Sequence, residues 1–243
     1  MRRPNMKITY IHHSSFLVEM EQTALLFDYF EGELPKIRED QLLIVFASHR
    51  HGDHFSPGIF EMAESHPKIW FVLSDDIWRR RVPEELLCRT SFLGPGEEFS
   101  FRKETGENVP VKIKTFKSTD EGVAFLVEAE GKVLYHAGDL NNWVWEGEPE
   151  EDNRRMSEAF HRELQAVAEN HIDVAFMLLD PRQEKDFYRG MDDFMRMAGA
   201  DIVFPMHFWG DFGVTERFKA LPCAADYGNR IVEIHCQGES FQV

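Results

Sequence analysis

Cysteine is scarce in this chain. Cys88, Cys223 and Cys236 are its only three among 243 residues, and no C-x-x-C pair occurs. So sparse and odd a set provides no disulfide framework, and free, buried thiols in a reducing compartment are the expectation. Long apolar runs are missing too. No segment approaches the roughly 20 residues of a membrane span, and Met1–Tyr10 has no signal-peptide apolar core, with Lys7 interrupting it. A soluble, cytoplasmic protein without a membrane partner is expected. Positive charge is in deficit: 27 Lys and Arg stand against 43 Asp and Glu, for a formal net charge of −16. The densest basic clusters, Arg79–Arg81 and Arg154–Arg155, are short and neighbour acidic residues, as on a solvated helix face. An acidic surface repels phosphate backbones and anionic lipid. Long nucleic acid is therefore disfavoured, and a small-molecule substrate is the expected partner.

Apolar patterning is plentiful, with 43% hydrophobic residues, and the length suits one large domain or two fused similar halves. Short apolar or alternating segments predict strands at Lys7–Ile11, Phe16–Met20 and Ala24–Phe27. Leu42–Ala47 (LLIVFA) is continuously apolar, as in a strand covered on both faces. Ser56-Pro57 reads as a cap and first helical residue, with Ile59, Phe60, Met62 and Ala63 on helical spacing. Further strands are predicted at Ile69–Leu73, Glu98–Phe101 and Val111–Phe116. Val123–Glu128 and Lys132–His136 form a hairpin around Glu130-Gly131. Helices follow at Asn153–Glu169 and Met191–Ala198, and strands at Val174–Leu179, Ile202–Phe204 and Ile231–His235. The plan is one domain over 1–243 with two similar halves, roughly 1–116 and 117–243. Strand-rich halves with helices suggest two packed sheets covered by helices.

Between the strand at Leu42–Ala47 and the capped segment at Ser56 lies His49-Arg50-His51-Gly52-Asp53-His54. Imidazole and carboxylate are the ligands of a hydrolytic divalent metal. His49 and His51 alternate on a tight loop and can face one ion. Asp53 and His54 are adjacent and can address a second. Three His and one Asp in six residues, on a strand-to-helix loop, exceed what scattered surface histidines produce. This H-x-H-x-D-H segment resembles the signature of the metallo-β-lactamase superfamily. The resemblance extends to Asp28 in LLFDYF, Asp139 in YHAGDL and His207 in FPMHFW. It looks closest to the branch of ascorbate-phosphate-lactonase-like and other metal-dependent hydrolases. It implies an α+β, four-layer αββα fold: two mixed sheets face to face, with helices outside.

Carried over by resemblance, one metal takes His49 and His51, and the other Asp53, His54 and His207. Asp139 bridges, and Asp28 orients a ligand imidazole. His136 is read as structural, and His12 and His13 as surface or core residues between early strands. One element departs from the family pattern. A third histidine for the first metal is expected between the motif and Asp139, but the corresponding stretch, Lys117–Gly122, has none. His66 lies in an apparent helix-end turn. Asp120 is the candidate replacement ligand, since carboxylate oxygen is acceptable to zinc and manganese. Ser118 and Thr119 are read as partners of a bound water.

The implied activity is metal-dependent hydrolysis, with one or two divalent ions activating water against a small, anionic ester, lactone or phosphoester. Zinc is the leading candidate, with manganese or iron as alternatives. Asp53 and Asp139 are the catalytic carboxylates. Asn141, Asn142, Trp143 and Trp145 are candidate pocket residues. Arg182 is the candidate anion receptor, and Tyr188, Phe208 and Trp209 an apolar wall. Two other readings stay open: a phosphodiesterase or nuclease of the same fold, and a catalytically silent metal-binding regulatory protein. The sequence carries no signal for oligomeric state.

Overall fold

The computed structural model describes residues 6–101 and 110–243, so Met1–Asn5 of the N-terminal reading lies outside it. Thirteen strands are present among the described residues: β1 (Lys7–His12), β2 (Ser15–Glu19), β3 (Thr23–Phe27), β4 (Leu42–Ala47), β5 (Ile69–Ser74), β6 (Thr90–Leu93), β7 (Glu98–Ser100), β8 (Lys112–Lys117), β9 (Val123–Ala129), β10 (Lys132–His136), β11 (Val174–Leu178), β12 (Ile202–Met206) and β13 (Ser240–Gln242). They form two mixed sheets, ordered β13-β1-β2-β3-β4-β5-β6 and β12-β11-β10-β9-β8-β7. In the first, β1 to β3 alternate in direction and β3 to β6 run parallel. In the second, β10 to β12 are parallel and β7 to β10 antiparallel.

The period of two in each strand explains the layering. Phe16, Val18, Leu25, Phe27, Ile44 and Phe46 turn one way, into the core between the sheets. Leu17, Ala24, Leu26, Leu43, Val45 and Ala47 turn the other way, into an outer cluster with Ile59 and Phe60. The two sheets meet through aromatic rings. Phe16 lies 4.5 Å from Phe176 and Phe46 5.2 Å from Phe125, centroid to centroid. The Glu130-Gly131 turn has positive φ at both residues, as a tight hairpin requires. The Glu130 carboxylate then accepts from the backbone N–H groups of Glu21, Gln22 and Thr23 and from the Thr23 hydroxyl, tying the two sheets at one end.

Helices α1 (Glu150–Val167) and α2 (Arg189–Met197) cover the second sheet. Phe160 and Leu164 of α1 and Met191 and Phe194 of α2 enter its core, with Phe194 stacked on Tyr135 at 5.5 Å. A third helix, α3 (Val214–Lys219), follows β12. The outer face of the first sheet differs from expectation. Pro57–Glu64 is a 3-10 segment, although Ser56 caps it by accepting from Gly58 N at 3.3 Å. It contains Gly58 and is followed by Pro67, residues that disfavour a continuing α-helix. Another 3-10 segment, Glu84–Arg89, leads into β6, a strand the sequence does not signal.

Ile231–His235 is not a strand. Ile231 makes a single bridge to Val203, and Val232 N donates to Val203 O at 2.8 Å. The chain then crosses to the other sheet, where Gly238 N reaches Tyr10 O and β13 pairs with β1. A segment passing between sheets cannot continue one ladder. The cysteines are free, as expected, but not buried: Cys88 and Cys236 are exposed and Cys223 partly so. No helix among the described residues is long and apolar enough to cross a membrane.

Candidate metal centre

Strand direction assembles the site. β1 and β3 are both antiparallel to β2, and β4 is parallel to β3. Their carboxyl ends therefore share one edge, which delivers His13, Asp28 and the His49–His54 loop. In the second sheet β8 and β10 are both antiparallel to β9, and β11 and β12 run with β10. Their carboxyl ends deliver Asp120, Asp139, Asp180 and His207. Residues far apart in sequence meet because each follows the end of a strand pointing the same way.

Asp139 stands at the centre. Its Oδ1 lies 3.2 Å from His54 Nε2 and 3.4 Å from His207 Nε2, and its Oδ2 lies 3.5 Å from His49 Nε2. One carboxylate thus faces two groups of imidazoles. On one side His13, Asp53, His54 and His207 bring ligand atoms within 4.8 Å of one another; on the other His49, His51, Asp120 and Asp139 do the same. Asp120 Oδ2 is 3.6 Å from His51 Nδ1, and His49 Nε2 is 3.0 Å from the same nitrogen. His54 Nε2, His207 Nε2, His13 Nε2 and Asp139 Oδ1 are buried without a hydrogen-bond partner. A buried unpaired polar atom costs about 1–3 kcal/mol, and several converging on one point are what a shared cation satisfies. The donor types and their convergence fit a divalent ion.

Neighbours set the orientation of the imidazoles. Asp28 Oδ2 lies 2.7 Å from His54 Nδ1, while Asp28 accepts from Ser48 N at 2.7 Å and Ser48 Oγ at 2.6 Å. His54 is thereby left with Nε2 toward the centre. Asp180 Oδ2 does the same for His207 at Nδ1, 2.9 Å away, and Ser48 Oγ lies 3.0 Å from His49 Nδ1. His51 Nε2 faces Glu121 Oε2 at 3.2 Å. Among non-glycine residues with positive φ are His13, Asp28, His207 and Trp209. Backbone strain therefore gathers where these side chains are aimed. Gly122, at φ +68, lies so close to the motif loop that a Cβ there would sit 2.0 Å from Ser48 O.

Charge and burial oppose each other throughout. Burial pushes the Asp139 carboxyl up, but the imidazoles of His54 and His207 outweigh it and hold it well below the ordinary carboxylate range. Burial likewise pushes Asp28 up, and His136 and His54 overcome it. Burial lowers His54, but Asp139 and Asp28 raise it well above an ordinary histidine. His13 and His49 are pushed down to about 4 by burial, so both are neutral donors near pH 7. The nearby His13 ring holds Asp53 well below the usual carboxylate value. Asp120, partly buried and near Asp139, is pushed up.

The structure brings His49, His51, Asp53, His54, Asp120, Asp139 and His207 around one space, with Asp28 behind His54. It also brings in His13, which the sequence alone places as a surface or core residue. The available signal was its position after β1, whose carboxyl end lies on the motif's edge of the sheet. Asp180, just past the strand predicted at Val174–Leu179, has no sequence signal that marks it as the partner of His207. His136 is buried and structural: Nε2 lies 2.9 Å from Ser14 O, and Nδ1 accepts from Gly138 N at 3.1 Å. Thr119 lines the cavity over the centre, and the hydroxyls of Ser118 and Thr119 also bond to neighbouring backbone. Ser118 Oγ accepts from Asp120 N, and Thr119 Oγ1 donates to Asn141 O at 2.6 Å.

A cavity of about 350 Å³ opens over the centre, lined by His51, Asp53, Asp120, Asp139 and His207 and walled by Trp143, Trp145, Met156 and Arg182. Trp143 and Trp145 stack at 5.8 Å. Arg182 is tied to Asp180 through Nε and Nη2 and lies over Trp209 at 4.5 Å. Trp209 flanks His13 and Arg182 rather than lining the cavity. Tyr188 does not line it either: it precedes α2 and packs against the core. Phe208 is buried and stacks on Tyr10 at 5.3 Å. Asn141 and Asn142 are buried and bond internally, Asn141 Nδ2 to Gln183 and Asn142 to Asp193 and Ser157.

Comparison with known proteins agrees with this arrangement. The beta-lactamase superfamily domain model matches residues 7–154, which include every residue above up to Asp139. A UPF0173 metal-dependent hydrolase of Alkaliphilus metalliredigens (strain QYMF) is 26% identical over 216 residues, 84% of this chain and 85% of its own. A namesake from Carboxydothermus hydrogenoformans is 32% identical over 148 residues, 55% of this chain and 62% of its own. Among solved structures, Igni18, a metallo hydrolase from Ignicoccus hospitalis, superposes with a TM-score of 0.67 at 17% identity, covering 98% of each chain. A metal-dependent hydrolase from Parabacteroides distasonis gives 0.62 at 18%, covering 96% and 94%. Such structures share the two-sheet fold. With a family model spanning more than half its length, and a donor cluster at the carboxyl edge of its strands, this chain belongs to the β-lactamase superfamily and is one of its metal-dependent hydrolases.

Proposed function

We propose that the chain hydrolyses a small anionic ester, lactone or phosphoester at a two-ion centre. The observation that carries the substrate class is Arg182. It is the only Lys or Arg on the described wall of a cavity whose other polar lining is His51, Asp53, Thr119, Asp120, Asp139 and His207. Asp180 occupies its Nε and Nη2, so Nη1 is left for a carboxylate or phosphate oxygen. Trp143, Trp145 and Met156 supply an apolar surface for the rest of the molecule.

His54, His207, Asp53 and Asp139 would hold one ion, and His49, His51, Asp120 and Asp139 the other. A divalent ion there supplies Lewis acidity and lowers the pKa of a bound water from about 15.7 to about 7 in the zinc case. The protein's own groups do the rest. Asp53, ionised and partly exposed on the cavity wall, orients the attacking water and takes its proton. Asp139 holds its two oxygens toward the two imidazole groups. Asp28 and Asp180 fix the tautomers of His54 and His207. Zinc suits the imidazole-rich side, and manganese or iron are the alternatives. Three free thiols, two of them exposed, accord with a reducing cytoplasm.

The test is a panel of small phosphodiesters, lactones and thioesters, charged and neutral, offered to zinc- and manganese-loaded protein. Turnover of an anionic member, abolished by chelator, is expected. A panel with no turnover, or with turnover only of neutral members, would sink the reading.

A further inference from the structure

The two sides of the centre differ in donor chemistry and in access to water. His13, His54 and His207 are all nearly fully buried. The side chains of His51 and Asp120 are 43% and 45% exposed. The first group offers three imidazoles and the Asp53 carboxylate, with Asp139 Oδ1 beside them. The second offers two imidazoles and two carboxylates.

We infer that His13 is a direct ligand of the buried ion, so that this site fills first and selects zinc, while the exposed site binds later and takes harder ions such as manganese. The inference rests on the two-ion reading above and concerns a residue that the H-x-H-x-D-H pattern does not include. With His13 the buried ion has five donors, and bonds of about 2.0–2.1 Å at angles of about 90–120° place neighbouring donors roughly 2.9–3.6 Å apart. His13 Nε2 lies 3.5 Å from Asp53 Oδ2, His54 Nε2 3.2 Å from Asp139 Oδ1, and His207 Nε2 3.4 Å from Asp139 Oδ1. His13 Nε2 is buried and without a hydrogen-bond partner, as are the matching nitrogens of His54 and His207. Most buried polar side-chain atoms are paired, and here His13 Nε2 faces another donor of the centre, Asp53 Oδ2.

Its backbone is also committed to the site. His13 has φ +52 and His207 φ +62, and His207 N donates to His13 O at 3.2 Å. The β1–β2 turn is thus fastened to the loop after β12. The His13 ring is held between His207, 4.1 Å away, and Trp209, 4.5 Å away. This chain therefore lacks a histidine on one side of Asp139 and has an additional one on the other. Nitrogen-rich sets favour zinc, and carboxylate-rich, hydrated sets suit manganese.

The experiment is titration of the metal-free full chain, following zinc by calorimetry with a competing chelator and manganese by electron paramagnetic resonance. Wild type should bind one zinc tightly and a second ion at least tenfold more weakly. His13→Ala should weaken the tight step by a hundredfold or more and leave manganese binding intact. Asp120→Asn should do the reverse. Equal zinc affinity in wild type and His13→Ala would overturn the inference, as would two equal steps in wild type. Wild type that binds no ion would instead remove the two-ion reading itself. If His13→Ala proves unfolded without metal by circular dichroism, His13→Gln, which retains bulk but not the imidazole, is read on the same scale.

Discussion

Asp180 Oδ2 lies 2.9 Å from His207 Nδ1, and the same oxygen receives the Arg182 guanidinium and, at 3.4 Å, the Trp209 indole N–H. One buried carboxylate thus links an inward-facing imidazole to the cation on the cavity wall. Burial pushes Asp180 up, but His207 and Arg182 hold it down at about 2. Asp180→Asn should therefore weaken zinc binding about 10–100-fold, the usual cost of losing a carboxylate behind a metal-bound histidine. Chelator competition on the metal-free chain measures it. An unchanged affinity would show that packing alone orients His207.

Asp139 faces both imidazole groups, so its loss cannot be confined to one of them. Asp139→Ala is expected to lose bound metal and hydrolysis together. Elemental analysis of the purified variant beside its turnover provides the check. Full activity, or wild-type metal content, would remove Asp139 from the centre.

Gly122 closes the second sheet's loop onto the motif. At φ +68, with Ser48 O 2.0 Å from where a Cβ would be, alanine meets both backbone strain and a backbone clash. Strain alone is worth about 1–3 kcal/mol, so Gly122→Ala should lose at least about 2 kcal/mol of stability. Urea denaturation should show a lower midpoint with little change in slope. A midpoint equal to wild type would mean that the loop yields freely.

Arg182→Ala should raise KM for an anionic substrate more than it lowers kcat. Arg182→Lys should recover only part of the loss, because an ammonium cannot donate in a fork to Asp180 and a ligand together. Steady-state kinetics on the substrate found by the panel distinguish these outcomes. An unchanged KM in the alanine variant would end the role assigned to Arg182.

Acid stability should depend on Asp173. Burial pushes its carboxyl up, but Lys132 Nζ at 2.6 Å and Val133 N at 2.9 Å overcome this and hold it below the ordinary value. A depressed carboxylate stabilises the fold above the unfolded pKa of about 3.9, and that stabilisation is lost as pH falls through the folded value. Asp173→Asn should show a flatter fall of Tm with pH below about pH 4 than wild type. Parallel acid limbs would count against it.

Local pattern was enough for much of this protein. Leu42–Ala47 reads as a doubly covered strand and is one. Six residues from His49 to His54 announce the chemistry, because donors this close in sequence must share a small space wherever the loop lies. Asp139 and His207 are legible only by resemblance, since a lone Asp or His carries no spacing of its own. Other features fell outside local pattern altogether. Pro57–Glu64 has helical spacing but becomes 3-10, and Ile231–His235 has strand composition but crosses between sheets. Periodicity describes which side chains can be buried together, not which backbone partners remain available.

His13 and Asp180 mark the boundary most clearly. Each follows a strand in ordinary company, and the site residue each meets, Asp53 for His13 and His207 for Asp180, lies far off in sequence. They become part of the centre because β1 points the same way as β3 and β4, and β11 the same way as β10 and β12. Donor identities and the core-forming alternation are properties of short segments and could be read from the chain. The distribution of donors between a buried side and an exposed one depends on strand order and sheet packing. Those are long-range relations, so only the folded molecule decides them.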